Sequence, residues 1–389
     1  MIGLFATKTE RQKVAQRKPF VHLCVLCVSV VLFVPLFSYS QQTEKVYLSG
    51  TGSDQTVQWD FFCTGGMNAN KWTTIAVPSC WELQGFGKYD YGFAKDSVRG
   101  KEKGLYKHRF NVPANWKGKV INLVFEGVMT DAEVKVNGKS AGEVHQGAFY
   151  AFKYDVSKLL NYGKENLLEV TVAKHSSNQS VNEAERKADF WIFGGIFRPV
   201  WLEVLPQQHI QHVAIDAKAD GSFSAKLQTN GNGYITGLTV ELIDLNNKVI
   251  KKNEVKVSEF SSQYGIKVDC KDIDQWSSEF PNLYKAIFRI YSKDKLLHEV
   301  SKKFGFRTVE VKQRDGIYIN GVKVKMKGVN RHAFRPETGR TTSKQISIED
   351  VLLMKDMNMN AVRMSHYPPD DIPFAPICTL YIAFGVCAS

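Results

Sequence analysis

Two short polar clusters hold the side chains best suited to chemistry. They are Asn330-Arg331-His332 and Arg363-Met364-Ser365-His366. Imidazole, guanidinium and amide groups can bind a polar substrate, orient a carboxylate or stabilise charge that develops during a reaction. Each cluster ends a short segment that we assign to a β-strand, so we predict that both lie at strand ends.

A helical segment lies between the two clusters. Ser347-Ile348-Glu349-Asp350 has the form of a capping box with Ser347 as the cap. Apolar residues follow at helical spacing, namely Ile348, Val351, Leu352 and Met354. Strand, helix and strand form the βαβ unit from which TIM barrels are built. Because active sites of such barrels lie at the carboxyl ends of the strands, we expect both clusters on that face.

The sequence upstream of this unit is typical of β-structure. Residues 41–206 contain short strands and turns, including a strand that ends at the hairpin dipeptide Asn137-Gly138, and they predict an antiparallel β-sandwich. Residues 207–306 predict a second, smaller sandwich of immunoglobulin-like type. Residues 307–389 begin with another Asn-Gly hairpin, at Asn320-Gly321, and continue into the βαβ unit.

Two stretches of the first sandwich are rich in aromatic residues and glycine. They are Pro78–Gly87 and Asp189–Arg198. Aromatic residues beside turn glycines are most often part of a core, and that is our interpretation of most of these side chains.

The cysteines do not indicate a site. The five that follow residue 40 are odd in number and irregular in spacing, which argues against both a disulfide framework and a zinc site. A bridge between Cys63 and Cys80 is conceivable, but we predict that both are buried free thiols.

The N-terminal forty residues have the pattern of a secretory signal peptide. A basic start, an apolar run over Phe20–Phe37 and the small residues of Ser38-Tyr39-Ser40 predict cleavage after Ser40; an uncleaved anchor is the alternative. We therefore expect export to the periplasm or the medium, and no stable membrane association after cleavage. The net charge is +12, and the remaining basic residues are scattered, which argues against nucleic-acid binding.

Taken together, the motifs resemble glycoside hydrolase family 2, whose best-known members are β-galactosidases. The resemblance covers residues from about 46 to 369 and implies a jelly-roll sandwich, an immunoglobulin-like sandwich and the start of a TIM (β/α)8 barrel. It also implies retaining hydrolysis by two glutamates, an acid/base and a nucleophile, roughly 5 Å apart. The segments that carry it are Pro78–Gly85, Asp189–Arg198, Phe280–Tyr284, Gly328–His332, Glu349–Lys355 and Asn360–Pro368.

The resemblance implies roles for individual residues. Asp189 and His366 match residues that contact the sugar. Arg363 matches an arginine that orients the nucleophilic glutamate and keeps it ionised. The cluster Asn330-Arg331-His332 would hold the sugar-contacting residues in position. Arg331 and His332 could equally have a purely structural role, in which they link barrel strands. The family also implies Mg²⁺, Ca²⁺ or Na⁺, with ligands mostly outside this chain.

Two departures from the family pattern bear on function. Arg335 stands where a sugar-contacting histidine is expected, which weakens the case for galactose. From about residue 371 the sequence leaves the pattern, and no glutamate follows Glu349. We therefore expect a barrel truncated after its first βαβ unit, without the two catalytic glutamates, and a chain that does not hydrolyse glycosides by itself.

The leading functional hypothesis is a hydrolase of terminal β-D-galactosides, with carbohydrate as its partner and with oligomerisation left open. A β-glucuronidase or β-mannosidase of the same family is the alternative within the enzymes. A non-catalytic carbohydrate-binding β-sandwich protein is an alternative of a different class, and an exposed aromatic platform would favour it.

Overall fold

The computed structural model describes residues 41–93, 100–188, 190–230, 234–257, 261–369 and 382–384. The predicted signal peptide, residues 1–40, lies outside the described residues. Within the described part of the chain, no helix is both long and apolar enough to cross a membrane.

The first β-sandwich is built from two main antiparallel sheets with one shared core. Their strand orders are β1-β12-β6-β9 and β3-β2-β5-β10-β7-β8, and β11 pairs with β4 in a separate ribbon. Trp59, Phe61 and Leu123 are among the buried side chains between the sheets. The strands are β1 (Glu44–Tyr47), β2 (Val57–Cys63), β3 (Trp72–Val77), β4 (Asp90–Tyr91), β5 (Lys103–Val112), β6 (Val120–Phe125), β7 (Asp131–Val136), β8 (Lys139–Ser140), β9 (Phe152–Asp155), β10 (Lys164–Ala173), β11 (Trp191–Ile192) and β12 (Val200–Leu205).

Local sequence explains much of this sandwich. In β10, buried and half-buried residues alternate from Asn166 onward, as expected of a strand with one face on a core. Asn137 and Gly138 have φ of 52° and 76° and join β7 to β8, as the dipeptide predicts. One short helix, α1 (Gln179–Glu185), was not predicted; the Asn178 side chain caps it by accepting from the Ser180 N–H at 3.0 Å.

The second sandwich has sheet orders β13-β14-β17 and β16-β15-β18-β19. Phe223, Val240 and Phe288 are buried between these sheets. The strands are β13 (Ile210–Ala217), β14 (Ser222–Thr229), β15 (Gly237–Asp244), β16 (Val249–Lys256), β17 (Gln263–Asp269), β18 (Tyr284–Ser292) and β19 (Lys295–Phe304).

The third region contains an antiparallel hairpin sheet and a parallel sheet. Asn320 and Gly321, with φ of 51° and 78°, form the predicted turn of the hairpin. The parallel sheet has the order β23-β24-β25. Its third strand was not predicted, because the sequence after about residue 371 departs from the family pattern. The elements are β20 (Val309–Lys312), β21 (Gly316–Ile319), β22 (Val322–Val324), β23 (Gly328–Arg331), α2 (Lys344–Asp356), β24 (Ala361–Met364) and β25 (Ile382–Phe384).

The predicted start of α2 is wrong by one turn. The cap is Ser343, whose hydroxyl accepts from the Ile346 N–H at 3.2 Å. Ser347, the predicted cap, is buried inside the helix together with Val351 and Met354, while Leu352 is exposed. The face that packs on the sheet is therefore narrower than the predicted apolar stripe, and it includes a serine.

Cys63 and Cys80 are buried and unbridged, as predicted. Burial raises the pKa of the Cys80 thiol to about 12, and the nearby Glu82 carboxylate adds to that effect. Both side chains therefore act as small apolar groups in the core.

Candidate functional site

The parallel register places the two polar clusters side by side. Asn330 of β23 pairs with Arg363 of β24. The Arg363 guanidinium donates to the Asn330 side-chain oxygen at 3.4 Å and to the Ser365 hydroxyl at 3.0 Å. Arg363 is exposed at the carboxyl end of β24, and a guanidinium carries five N–H donors, so it has donors beyond those used in these two contacts.

Two histidines complete this edge. The rings of His332 and His366 lie 5.3 Å apart at 84°, in an edge-to-face arrangement, and both residues are exposed. Burial lowers the pKa of His332, and the positive charges of Arg340, His366 and Arg363 lower it further. His332 is therefore biased towards its neutral form, in which it can both donate and accept a hydrogen bond.

Arg331 turns away from this edge towards helix α2. Its Nε donates to the Asp350 carboxylate at 2.7 Å, and Nη2 donates to the Ser347 hydroxyl at 3.3 Å. Arg335 donates to the other Asp350 oxygen at 2.5 Å. Each oxygen of the Asp350 carboxylate thus accepts a hydrogen bond from one arginine. The two bonds link β23 and the loop after it to α2. The geometry supports the structural alternative for Arg331, and it gives Arg335 a structural contact too.

Segment 367–369 is held against the first sandwich. Tyr367 stacks on Phe149 with ring centroids 4.3 Å apart and planes 13° apart. The Arg340 guanidinium donates to the Tyr367 hydroxyl and lies 4.8 Å from the centre of the Phe190 ring. Arg198 donates to the Pro368 carbonyl at 2.8 Å. The sandwich therefore fixes the backbone that follows His366.

Sequence reasoning missed Arg340, Tyr367 and Phe149 as parts of the site. Phe149 lies far from the other two in sequence, and its neighbours show no periodic pattern. Tyr367 could have been found, because it follows His366 directly in a segment already singled out.

Sequence reasoning also missed a cluster of buried charged side chains, which includes Glu82 of the first aromatic stretch. The Lys174 ammonium, fully buried, lies 2.8 Å from Glu82, 3.2 Å from Asp90 and 3.2 Å from Glu102. The Gly194 N–H donates to both oxygens of Glu82 at 3.1 Å. The four charged residues and Gly194 come from five separate segments of the sandwich, and Gly194 belongs to the stretch that begins at Asp189.

The protonation of this cluster follows from its charge balance. Burial raises the pKa of Glu82 to about 7, against the lowering effect of Lys174. Burial lowers the pKa of Lys174, but the three carboxylates together outweigh it and raise that pKa overall. The buried Lys174 ammonium faces three carboxylates, and the partly exposed Lys88 ammonium lies 3.9 Å from Asp90. Negative charge still exceeds positive charge in the cluster, so we infer that Glu82 holds a proton over part of the neutral range.

Asp189, the predicted sugar contact in the sandwich, lies outside the described residues. Its neighbours Phe190 and Trp191 are described. Phe190 contacts Arg340, and Trp191 begins β11. The role of Asp189 stays a prediction.

The described residues do not fit the metal ions that the family implies. Mg²⁺ and Ca²⁺ take oxygen ligands, usually including carboxylates. Of the carboxylates described above, Asp350 is engaged by two arginines and the sandwich acids surround Lys174. No group of three or more His, Cys, Asp or Glu side chains suited to a metal occurs among the described residues.

Family models match nearly the whole chain after residue 61. Residues 62–206 match the sugar binding domain of glycosyl hydrolases family 2, residues 208–307 match the domain model named for the family itself, and residues 309–381 match its TIM barrel domain. These matches, with the sheets described above, confirm the predicted fold class.

Relatives fall into two activity classes. A protein named "Putative beta-glucuronidase" from Formosa agariphila is 28% identical over 352 residues, which cover 88% of this chain and 41% of that protein. A β-galactosidase from Clostridium acetobutylicum is 33% identical over 316 residues, which cover 76% of this chain and 34% of the enzyme. The chain therefore spans well under half the length of these relatives.

Solved structures agree with this assignment. A "putative beta-galactosidase" from Bacteroides fragilis superposes with a TM-score of 0.71 at 25% identity, over 88% of this chain and 52% of the other. Bacteroides uniformis β-glucuronidase 2 gives a TM-score of 0.71 at 23% identity, over 88% of this chain and 42% of its own, and shows the shared fold. Since three successive domain models match in order and the solved folds agree, the chain belongs to glycoside hydrolase family 2.

Proposed function

We propose that this chain supplies the sugar-positioning side of a retaining glycosidase that acts on terminal β-D-galactosides. The observation that carries the proposal is the placement of Arg363 and His366 together at the carboxyl end of β24. This is the face on which TIM barrels place their chemistry. We also propose that the protein is exported, as its N-terminal sequence predicts.

The geometry supports the proposed roles. Arg363 has donors beyond those used for Asn330 and Ser365, so it can hold a neighbouring carboxylate in its ionised, nucleophilic form. His366, exposed on the same edge, can hydrogen-bond a sugar hydroxyl. Asp189 would add a carboxylate that accepts from two hydroxyls.

The two carboxyl groups that the retaining mechanism needs are not supplied by the described residues of this edge. Asp350 is bound by Arg331 and Arg335, and the polar groups above β23 and β24 are amide, guanidinium, hydroxyl and imidazole. We therefore expect the 389-residue chain by itself to give no turnover of a chromogenic β-galactoside.

A β-glucuronidase is the second candidate. The Formosa relative carries that name, and Arg335 replaces the histidine expected for galactose. A glucuronide differs from a galactoside in its C6 carboxylate and in its configuration at C4, and a cationic side chain can bind the carboxylate.

A pair of fusions tests the proposal. Residues 41–369 are joined to the remaining barrel of the Clostridium β-galactosidase and, separately, to that of the Formosa protein. Each fusion is assayed with 4-nitrophenyl β-D-galactoside and β-D-glucuronide. We expect the first fusion to hydrolyse the galactoside, and we expect His366→Ala to reduce kcat/KM by about a hundredfold, of the size seen when one transition-state donor is removed.

Each fusion is checked by thermal unfolding against the intact parent enzyme. Folded fusions that hydrolyse neither substrate would contradict the proposed function. Turnover of glucuronide by the Formosa fusion alone would favour the second candidate.

A further inference from the structure

The ribbon formed by β4 and β11 has two chemically different faces. Asp90 pairs with Ile192 and Tyr91 pairs with Trp191. Because paired residues share a face and successive residues alternate, Asp90 and Ile192 form one face while Tyr91 and Trp191 form the other. Asp90 and Ile192 are buried, whereas Trp191 is 48% exposed.

The inner face is anchored to the buried ion cluster. The Asp90 carboxylate lies 3.2 Å from the Lys174 ammonium and accepts from the Gly100 N–H at 2.8 Å. The Ile192 side chain is almost fully buried next to it in the ribbon. A two-stranded ribbon is marginal by itself, so these contacts hold it in place.

The outer face presents three aromatic rings. Trp191 lies 5.6 Å from Tyr91 and 6.1 Å from Tyr89, in both cases in an edge-to-face arrangement. Tyr89 is 44% exposed, and its hydroxyl donates to the Glu82 carbonyl at 3.1 Å, which fixes the ring. A single exposed aromatic residue needs no explanation, but a fixed cluster of three on an anchored ribbon does.

A chain of contacts links the ribbon to the candidate site. Phe190, the residue before Trp191, contacts Arg340, and Arg340 bonds the tyrosine that follows His366. We therefore expect the further sugar units of a glycan held at His366 to extend along this connection towards the three rings.

We propose that Trp191, Tyr89 and Tyr91 form a stacking site for a neutral hexopyranose unit of a β-linked oligosaccharide, beyond the unit held at His366. The ring C–H groups of a pyranose form an apolar face, and its hydroxyls form a polar rim. An exposed indole covers such a face, and tyrosine hydroxyls bond the rim, at little entropic cost because the rings are already held. The site rests on the proposed function and extends it to longer substrates.

Binding to the full chain tests the site. The probes are β-1,4-galactotetraose and cellotetraose, measured by calorimetry. We expect at least one tetrasaccharide to bind, Trp191→Ala to weaken it about tenfold or more, the size of one lost aromatic contact, and Trp191→Phe to retain most of the affinity. Tyr89→Ala should weaken it as well.

Trp72 gives the matched control. It is 49% exposed, close to Trp191, but its ring partner is Phe62 on β2 and it lies outside the ribbon. Trp72→Ala should leave affinity unchanged. Thermal unfolding of each variant shows whether it is folded.

Two results would overturn the proposal. One is a chain that binds neither tetrasaccharide at about 10 mM, a concentration well above the Kd of even a weak specific site. The other is a folded Trp191→Ala variant with wild-type affinity. If the fusions described above hydrolyse their substrates, either result would exclude the stacking site without contradicting the proposed glycosidase function.

Discussion

The ring of Tyr367 stacks on that of Phe149, with centroids 4.3 Å apart and planes only 13° apart. Tyr367 belongs to the segment that carries His366, and Phe149 belongs to the first sandwich. The candidate site is thus assembled from two regions of the chain, and its geometry depends on their contact.

The first prediction concerns this pair. A double-mutant cycle with Phe149→Ala and Tyr367→Ala should give a coupling free energy of about 1 kcal/mol in urea unfolding, because aromatic pairs contribute beyond their buried area. The control is the same cycle with Tyr150→Ala in place of Phe149→Ala. Tyr150 is the exposed neighbour of Phe149, and we expect its coupling free energy with Tyr367 to be near zero. Strictly additive effects of Phe149 and Tyr367 would show that the stacking contributes nothing.

The second prediction concerns the buried ammonium. Lys174→Met should destabilise the sandwich by about 3–5 kcal/mol, since three buried carboxylates lose the buried ammonium that lies within 3.2 Å of each of them. The Lys88 ammonium is much more exposed and lies 3.9 Å from Asp90, so it does not replace that contact. Lys187→Met breaks an exposed i,i+4 pair with Glu183 and should change the free energy of unfolding by no more than about 0.5 kcal/mol. Similar effects for the two variants would contradict the role assigned to the cluster.

The pH dependence of stability gives a third prediction. The folded pKa of Glu82 is about 7, above its ordinary value of 4.5, so folding favours the protonated acid. Its contribution to stability is complete below about pH 4.5 and is lost as the pH rises through 7. Thermal unfolding from pH 5.5 to 8.5 should therefore show a steeper fall for the wild type than for Glu82→Gln.

Glu165→Gln is the control for this comparison. Glu165 is exposed and pairs with Arg109 on the sandwich surface. Its replacement should leave the pH profile parallel to that of the wild type. A Glu82→Gln profile that is also parallel would mean that Glu82 does not titrate in this range.

Features set by neighbouring residues were predictable from the sequence. Asn137-Gly138 and Asn320-Gly321 tolerate the positive φ that a tight hairpin turn requires, and both form hairpin turns. The placement of both polar clusters at the same edge of the sheet was predicted from the βαβ pattern, because parallel strands joined by one helix bring their carboxyl ends together, whereas the register that pairs Asn330 with Arg363 was not. The two turns depend on local backbone conformation, and the common edge depends on the single helical connection between β23 and β24.

Features set by tertiary contacts were not predictable. The Lys174 cluster draws its members from four segments, and no spacing relates them. Ser347 was mistaken for the cap of α2 because its sequence context fits a capping box, but Arg331 and the sheet bury it inside the helix. Its local pattern could not show that the helix begins four residues earlier.

The cap of α2 gives a fourth prediction. Ser343→Ala should cost about 1 kcal/mol of unfolding free energy, because it removes the side-chain acceptor for the Ile346 N–H. Ser343→Asp keeps an acceptor there and should retain most of the stability. Equal losses for Ala and Asp would mean that Ser343 contributes through packing rather than through capping.

The last prediction separates the two arginines of the strand ends. Arg331→Met should destabilise the chain by about 3 kcal/mol, because it leaves the largely buried Asp350 with only Arg335. Arg363→Met should cost much less stability than Arg331→Met, since Arg363 is exposed and loses two hydrogen bonds, to Asn330 and to Ser365, rather than an ion pair. In the fusion assay the order should reverse: Arg363→Met should lower kcat/KM strongly, whereas Arg331→Met should lower it only as far as it reduces the folded fraction. If Arg363→Met destabilises as much as Arg331→Met and leaves kcat/KM intact, then Arg363 is a structural residue and the roles proposed for the two clusters are wrong.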